Sequence, residues 1–253
     1  FYLSNYQVTF LNSLFEAISG IAGTGFSIFK DIKYLDPTLI LWRSSSQWIG
    51  GLYFLFFLIL IFSNKQFNYK MNYLTYSGDG SINSESNIKG LLFKIFIIYS
   101  ILSFIIFLLL NISEVRMFNS LNLSMSLVST GGFMPTNSLD KIIQSNLQKI
   151  VFIFSLLISM LNFFLILNIF EKRLLVREHK EDFYLVLISI ILILLVYLND
   201  YDALNIIISV LSSLSNSGLS LMNSNNNLSL YFILITAVGG SLISNTSGIK
   251  LTR

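Results

Sequence analysis

Residues 117–134 read MFNSLNLSMSLVSTGGFM, and this stretch decides the fold. Its first part, MFNSLNLSMSLV (117–128), carries apolar side chains at helical spacing. It is too short to cross a bilayer, which takes about 20 residues. A Ser/Thr/Gly turn, STGGFM (129–134), follows at once and leads on toward a long apolar run. A short helix ending on such a turn is a re-entrant half-helix. Irregular backbone at membrane depth is tolerated only where it is buried in protein or lines a water-filled path.

Working outward, the same design recurs on both sides. NYQVTFLNSLFEAIS (5–19) precedes AGTGFS (22–27), and ALNIIISVLSSL (203–214) precedes SNSGLS (215–220). Aligning the turns puts Gly25, Gly132 and Gly218 in register, followed by Phe26, Phe133 and Leu219. The steps are 132 − 25 = 107 and 218 − 132 = 86 residues. Unequal steps mark loop insertions in one repeated unit: span, half-helix, glycine turn, span.

Composition agrees. Of 253 residues 54% are hydrophobic and only 11% charged, with 23 Phe and 12 Tyr; the mean hydropathy is +0.71. A soluble domain carries about 25% charged residues. Five apolar segments reach or approach spanning length: 41–62, 91–111, 148–170, 183–198 and 228–249. None carries Asp or Glu in its middle, and Arg43, Lys94 and Lys149 sit near ends, where long stems are expected to snorkel. The net charge of +3 gives no reason to expect a nucleic-acid partner. With no Cys and one His, His179 in a charged turn, neither a thiolate site nor a His-based metal cluster is expected, and no enzyme chemistry. The chain starts at Phe1 without a charged leader and ends at Arg253 straight after an apolar run, so a fragment is expected.

Basic residues set the sidedness. Lys65, Lys70 and Lys89 lie in 63–90, Lys172, Arg173, Arg177 and Lys180 in 171–182, and Lys250 and Arg253 after the last span. The positive-inside rule places these in the cytoplasm and turns 1–40, 112–147 and 199–227 outward. Asp200 and Asp202 then lie at an outer mouth as part of a solvated loop, as does the Asn-rich run 223–227. The expected organisation is a first pore unit at 1–62 without its outer helix, a cytoplasmic loop at 63–90, a second unit at 91–170, a cytoplasmic loop at 171–182, and a third unit at 183–253. The fold class is all-α integral membrane: helix–pore-loop–helix units around a pseudo-symmetric central pore.

The turns carry the chemistry. Glycine permits backbone angles that bulkier residues resist, and stacked carbonyls can replace the water shell of a monovalent cation. The half-helix dipole also favours a cation at its C-terminal end. The expected ion-binding filter is Ala22, Gly23, Thr24 and Gly25; Ser129, Thr130, Gly131 and Gly132; and Ser215, Asn216, Ser217 and Gly218. Potassium at the filter is the only metal expected, and no cofactor is. Glu16, in the first half-helix near the filter, is expected to hold the pore loop by hydrogen bonds, with raising the local cation concentration as the alternative.

At these residues the chain resembles the Trk/Ktr/HKT superfamily of potassium transporters along nearly its whole length. FEAISGIAGTGFS, then Trp42, Arg43, Gln47, Trp48, Gly50 and Gly51, resemble the first pore loop and inner helix; STGGF resembles the second filter. Met160, Leu161, Asn162 and Phe163, with EDFYLVLI (181–188), resemble Trk-type members. The resemblance implies four pore units, three of them present here, and a loop interrupting the third inner helix that gates the pore. On this chain that loop is Gly239, Gly240, Ser241, Ser244, Asn245, Thr246, Ser247 and Gly248, closed by Lys250 and Arg253. It further implies a homodimer, a cytoplasmic nucleotide-binding regulatory subunit, and a multi-pass location in the cytoplasmic (inner) membrane with the lipid bilayer as partner. Ala22, Gly23, Asn216, Ser217, Leu242, Ile243 and Asn245 depart from the family pattern. These departures leave the carbonyl role in place. The expected function is potassium uptake, with a sodium-coupled or poorly selective monovalent cation transporter, or a non-transporting sensor, as alternatives.

Overall fold

The computed structural model describes residues 8–62, 85–170, 180–197, 202–221, 226–237, 239–241, 244–246 and 248–249. The expectations for Lys65, Lys70, Lys172, Arg173, Arg177, His179, Asp200, Leu242, Ile243, Ser247, Lys250 and Arg253 lie outside the described residues. Regular structure among the described residues is helical. The elements are α1 (Phe10–Ile21), α2 (Pro37–Phe62), α3 (Glu85–Ile112), α4 (Met117–Ser129), α5 (Asn146–Met160), α6 (Phe163–Phe170), α7 (Lys180–Tyr197), α8 (Ala203–Ser215) and α9 (Asn226–Ala237).

The unit read from the sequence is present three times. α1 and α2 form the first. α3, α4 and α5–α6 form the second, and α7, α8 and α9 the third. The short helices α1, α4 and α8 are the half-helices. Each later half-helix packs broadly on the inner helix of the unit before it, α4 on α2 and α8 on α5. This head-to-tail contact is how a repeated unit advances around an axis.

Local chemistry explains the helix limits. α2 opens on Pro37, whose fixed φ and missing N–H suit a first helical position. The Asp36 carbonyl receives the N–H groups of Leu39 and Ile40. α5 opens on a capping box: the Ser145 hydroxyl accepts from the Gln148 N–H, and the Gln148 side chain accepts from the Ser145 N–H. Inside the half-helices, serine hydroxyls bond back to carbonyls of the preceding turn, as Ser120, Ser124 and Ser129 do in α4. These polar side chains are buried, so their hydroxyls need such partners.

Two of the expected spans differ from single helices. α2 and α3 are long and apolar enough to cross a membrane, over Pro37–Ile61 and Lys89–Ile112. The run 148–170 is split, because the backbone leaves the helix at Leu161 and re-enters at Phe163. The Met160 carbonyl accepts the Ser241 N–H, and the Asn162 N–H donates to the buried Asp182 carboxylate. The run 228–249 is helical only to Ala237, as the interrupting loop required.

The core joins all three units. Tyr99, Leu123, Leu127, Phe152, Leu156, Met160 and Phe163 form its centre, with Ile206 and Leu211 from α8. Outside, Phe93, Phe104, Ile190, Leu194 and Leu234 are exposed. So large an outward apolar surface suits a hydrocarbon surround.

Candidate functional site

The three glycine turns share one backbone path. In each, the N–H of the second residue bonds three residues back: Gly23 to Gly20, Thr130 to Leu127, Asn216 to Ser213. The N–H of the third bonds five back: Thr24 to Ser19, Gly131 to Ser126, Ser217 to Ser212. This is the Schellman closure of a helix C-terminus. The second and fourth residues have positive φ in every turn. The angles are 66° and 77° at Gly23 and Gly25, 54° and 82° at Thr130 and Gly132, and 57° and 66° at Asn216 and Gly218. Alternating the sign of φ turns successive peptide planes over, so carbonyls that oppose each other in a strand can share a side.

The turns also interlock. A Cβ on Gly25 would lie 2.5 Å from the Gly131 carbonyl oxygen, and one on Gly132 would overlap the Ser217 carbonyl oxygen. Gly25 and Gly132 thus each receive a carbonyl from the next unit, at a distance no side chain allows. At Gly218 the corresponding space is open among the described residues.

Each turn is held differently. At the first, Glu16 is fully buried and accepts from the Ser27 hydroxyl (2.9 Å) and the Ile28 N–H (2.9 Å). Arg43 completes an ion pair with it at 2.9 Å and stacks over the Phe133 ring at 4.2 Å. Glu16 therefore holds the segment after the first glycine turn by hydrogen bonds, as expected. Arg43 does not snorkel: it is 1% exposed, because its counter-ion and an aromatic face lie inside the protein. At the second turn, Gln47 of α2 donates to the Gly131 carbonyl at 2.6 Å and accepts from the Phe133 N–H at 3.1 Å. The Gln47 amide fills the space where a Gly131 side chain would sit. At the third, Ser217 meets Ser212 at 3.1 Å and Ser215 at 3.0 Å, and the Asn216 amide donates to the Thr236 carbonyl at 3.2 Å.

A cavity of about 1020 Å3 joins the turns. All the expected filter residues line it except Gly131, which is turned to Gln47, and Ser215, which is buried behind Ser217. No charged side chain among the described residues contributes to its wall, where the turns offer carbonyls, hydroxyls and amides and Tyr53, Phe54, Phe57 and Ile233 supply an apolar remainder. Such neutral oxygens suit a weakly hydrated monovalent cation.

The loop after α9 closes the cavity from a further side through Asn245. Its neck is paired by Gly239 N–H to the Ile249 carbonyl (3.0 Å) and Ile249 N–H to the Ala237 carbonyl (2.9 Å). Gly248, at φ 90°, lies so close to Gly239 that a Cβ there would approach its backbone to 2.8 Å. Within the loop, the Gly240 N–H donates to the Thr246 hydroxyl at 2.9 Å, and Ser244 meets Thr246 at 2.7 Å.

Three bracing residues carry no role in the sequence alone: Gln47, Arg43 and Asp182. A glutamine and an arginine inside an otherwise apolar run were the available signal.

Comparisons with known proteins bear on this geometry. A family model described as "TrkH: Cation transport protein" matches residues 2–179. The uncharacterized cation transporter MJ1485 of Methanocaldococcus jannaschii is 25% identical over 264 residues, taking in 100% of this chain and 53% of that protein. The Trk system potassium uptake protein TrkI of Halomonas elongata is 41% identical over 46 residues, 18% of this chain and 9% of that protein. The crystal structure of the potassium transporter TrkH from Vibrio parahaemolyticus superposes with a TM-score of 0.82 at 19% identity, covering 97% of this chain and 53% of that one. The chain thus spans about half the length of the relatives it matches along its whole extent.

Proposed function

The chain belongs to the TrkH family of cation transport proteins, and from that premise we propose that it takes part in potassium uptake across the cytoplasmic membrane. The family and fold are those of a membrane transporter rather than an enzyme. The ion passes from the outer side through the turns 22–25, 129–132 and 215–218, with the Gly131 carbonyl taken up by Gln47 and not offered to it. One observation carries this reading: three turns repeat the same bonds and the same alternating φ around one uncharged cavity. The filter is completed by a fourth turn from a part of the protein outside this chain, seated in the open space beside Gly218. The loop 239–249 gates the path from the cytoplasmic side, with Ser247, Lys250 and Arg253 belonging to it. In the same proposal the protein is multi-pass, homodimeric, and regulated by a cytoplasmic nucleotide-binding partner.

The test uses the full-length protein in cells that lack potassium uptake. Gly132→Val places a side chain on the Ser217 carbonyl at φ 82°. Growth at low potassium should be lost while the protein still reaches the membrane. Rescue that survives the substitution sinks the filter reading.

A further inference from the structure

The gate loop is built so that its shape and its position depend on different bonds. Its shape rests on the Gly239–Ile249 neck, the Thr246 hydroxyl under Gly240, and the Ser244–Thr246 contact. Its position rests on the Ser241 N–H, which donates to the Met160 carbonyl at 3.2 Å, and on one amide. Asn245 Nδ2 donates at 2.9 Å to the carbonyl of Val128, 117 residues away. That carbonyl lies in the last turn of α4, where helix oxygens lose their intrahelical partners. Ser126 and Leu127 are satisfied by the glycine turn itself, through Gly131 and Thr130. Val128 is satisfied by the gate. Because a carbonyl only accepts, the atom upon it must be the amide nitrogen, which settles the orientation of the Asn245 side chain.

The contact is made at a prepared place. A Cβ on Gly51 would lie 2.8 Å from Tyr99 Oη, 3.0 Å from Asn245 Nδ2 and 3.0 Å from Ser129 Cβ. α2, α3, α4 and the gate loop therefore converge on one glycine. Tyr99 donates to the Trp48 carbonyl at 3.0 Å, and its hydroxyl oxygen accepts from the Asn245 amide, so the amide nitrogen is fastened to α3 as well as to α4. The other end of the amide is treated differently. Asn245 Oδ1 is buried and has no hydrogen-bond partner among the described residues. An unsatisfied buried acceptor opposes the closed arrangement, and release into water relieves it. A fastening whose donor end is bonded and whose acceptor end is not is reversible by construction.

We infer that Asn245 is the latch that holds the gate loop against the second filter turn, and that Gly51 is the seat that admits it. This rests on the reading of 239–249 as a gate. Filter and gate are then one hydrogen-bonded body while the latch is closed, and the loop swings as a preformed unit when it opens.

The experiment separates the latch from transport. This chain has no cysteine, so Ser241→Cys, at a fully buried loop position, reports loop release by its labelling with a water-soluble thiol reagent. Any native cysteines elsewhere in the full-length protein are replaced first. Adding Asn245→Ala should speed labelling at least fivefold. Rubidium tracer uptake into lipid vesicles should rise at least threefold with the rubidium-over-sodium ratio within twofold of native. Gly51→Ala should act in the same direction, and the double variant should exceed neither single variant, since both open one contact. Size-exclusion elution as for the native protein identifies folded variants, and either single variant suffices. Unchanged labelling overturns the latch. Faster labelling with uptake unchanged overturns its hold on the gate, as do additive effects in the double variant. Faster labelling in a protein whose native form takes up no rubidium upholds the latch and defeats the transport reading instead.

Discussion

The first and third glycine turns follow the same backbone path and are held by opposite chemistry. Behind the first stands a buried ion pair, Glu16 with Arg43, tied to Ser27, the Ile28 N–H and the Phe133 ring. Behind the third stand serine hydroxyls alone at Ser212, Ser215 and Ser217, with one amide at Asn216. The ion pair reaches across units, since Phe133 follows the second turn. The serines bond within their own turn. The comparison separates what the repeat requires, a closed helix end with alternating φ, from what each unit supplies to steady it.

The largest effect should come from breaking the first support. Arg43→Met leaves Glu16 buried without its counter-ion, which costs about 3–5 kcal/mol when one partner of such a pair is removed. Thermal unfolding of the solubilised protein should register it. Combining Glu16→Gln with Arg43→Met should recover part of the loss, because the uncompensated charge is gone. A double variant less stable than Arg43→Met alone would mean that the pair's hydrogen bonds outweigh its charge.

Next is Gln47, the neutral support of the second turn. Gln47→Ala orphans the Gly131 carbonyl and the Phe133 N–H, at roughly 1–3 kcal/mol for a buried group left unsatisfied. The damage lies at the filter, so the rubidium-over-sodium uptake ratio should fall by more than total uptake does. Equal loss of both would place Gln47 in general stability and not in filter geometry.

The second position of the turns offers a sharper contrast, in sign. Thr130 is β-branched at φ 54°, a left-handed conformation that costs roughly 1–2 kcal/mol for an L-residue. Glycine relieves it and loses about 0.5–1 kcal/mol in chain entropy. Thr130→Gly should therefore raise the unfolding temperature slightly. Asn216→Gly should lower it slightly, since asparagine tolerates the conformation and its amide reaches Thr236. Matching signs would erase the contrast and show that the two turns are equivalent at this position.

Smallest of all should be Ser217→Ala, which removes one hydroxyl from a local network at about 1 kcal/mol or less. Unfolding temperature measured beside Arg43→Met decides the comparison: similar losses would erase the distinction between the two supports.

Much of this was legible along the chain. The half-helices announce themselves by apolar spacing over too few residues, and the turns by Gly25, Gly132 and Gly218 in register. Both signals are local, because helix ends and positive φ are satisfied by residues within one turn of each other. The break at Leu161–Asn162 was not legible. Its sequence, Met160-Leu161-Asn162-Phe163, holds neither Gly nor Pro. The helix opens because Ser241 takes the Met160 carbonyl and Asp182 takes the Asn162 N–H. The same holds for Arg43, a snorkelling residue by position and a buried one by partner.

By itself, then, the sequence determined a membrane-embedded helical chain with three re-entrant units and the residues of their turns. Those properties follow from hydropathy, periodicity and glycine's backbone freedom, which act over a few neighbouring residues. Only the tertiary structure decided which carbonyl each glycine receives, which side chains brace each turn, and that Asn245 reaches Val128. Those pairings join residues up to 117 positions apart, and a hydrogen bond or ion pair exists only where packing has brought donor and acceptor within about 3 Å.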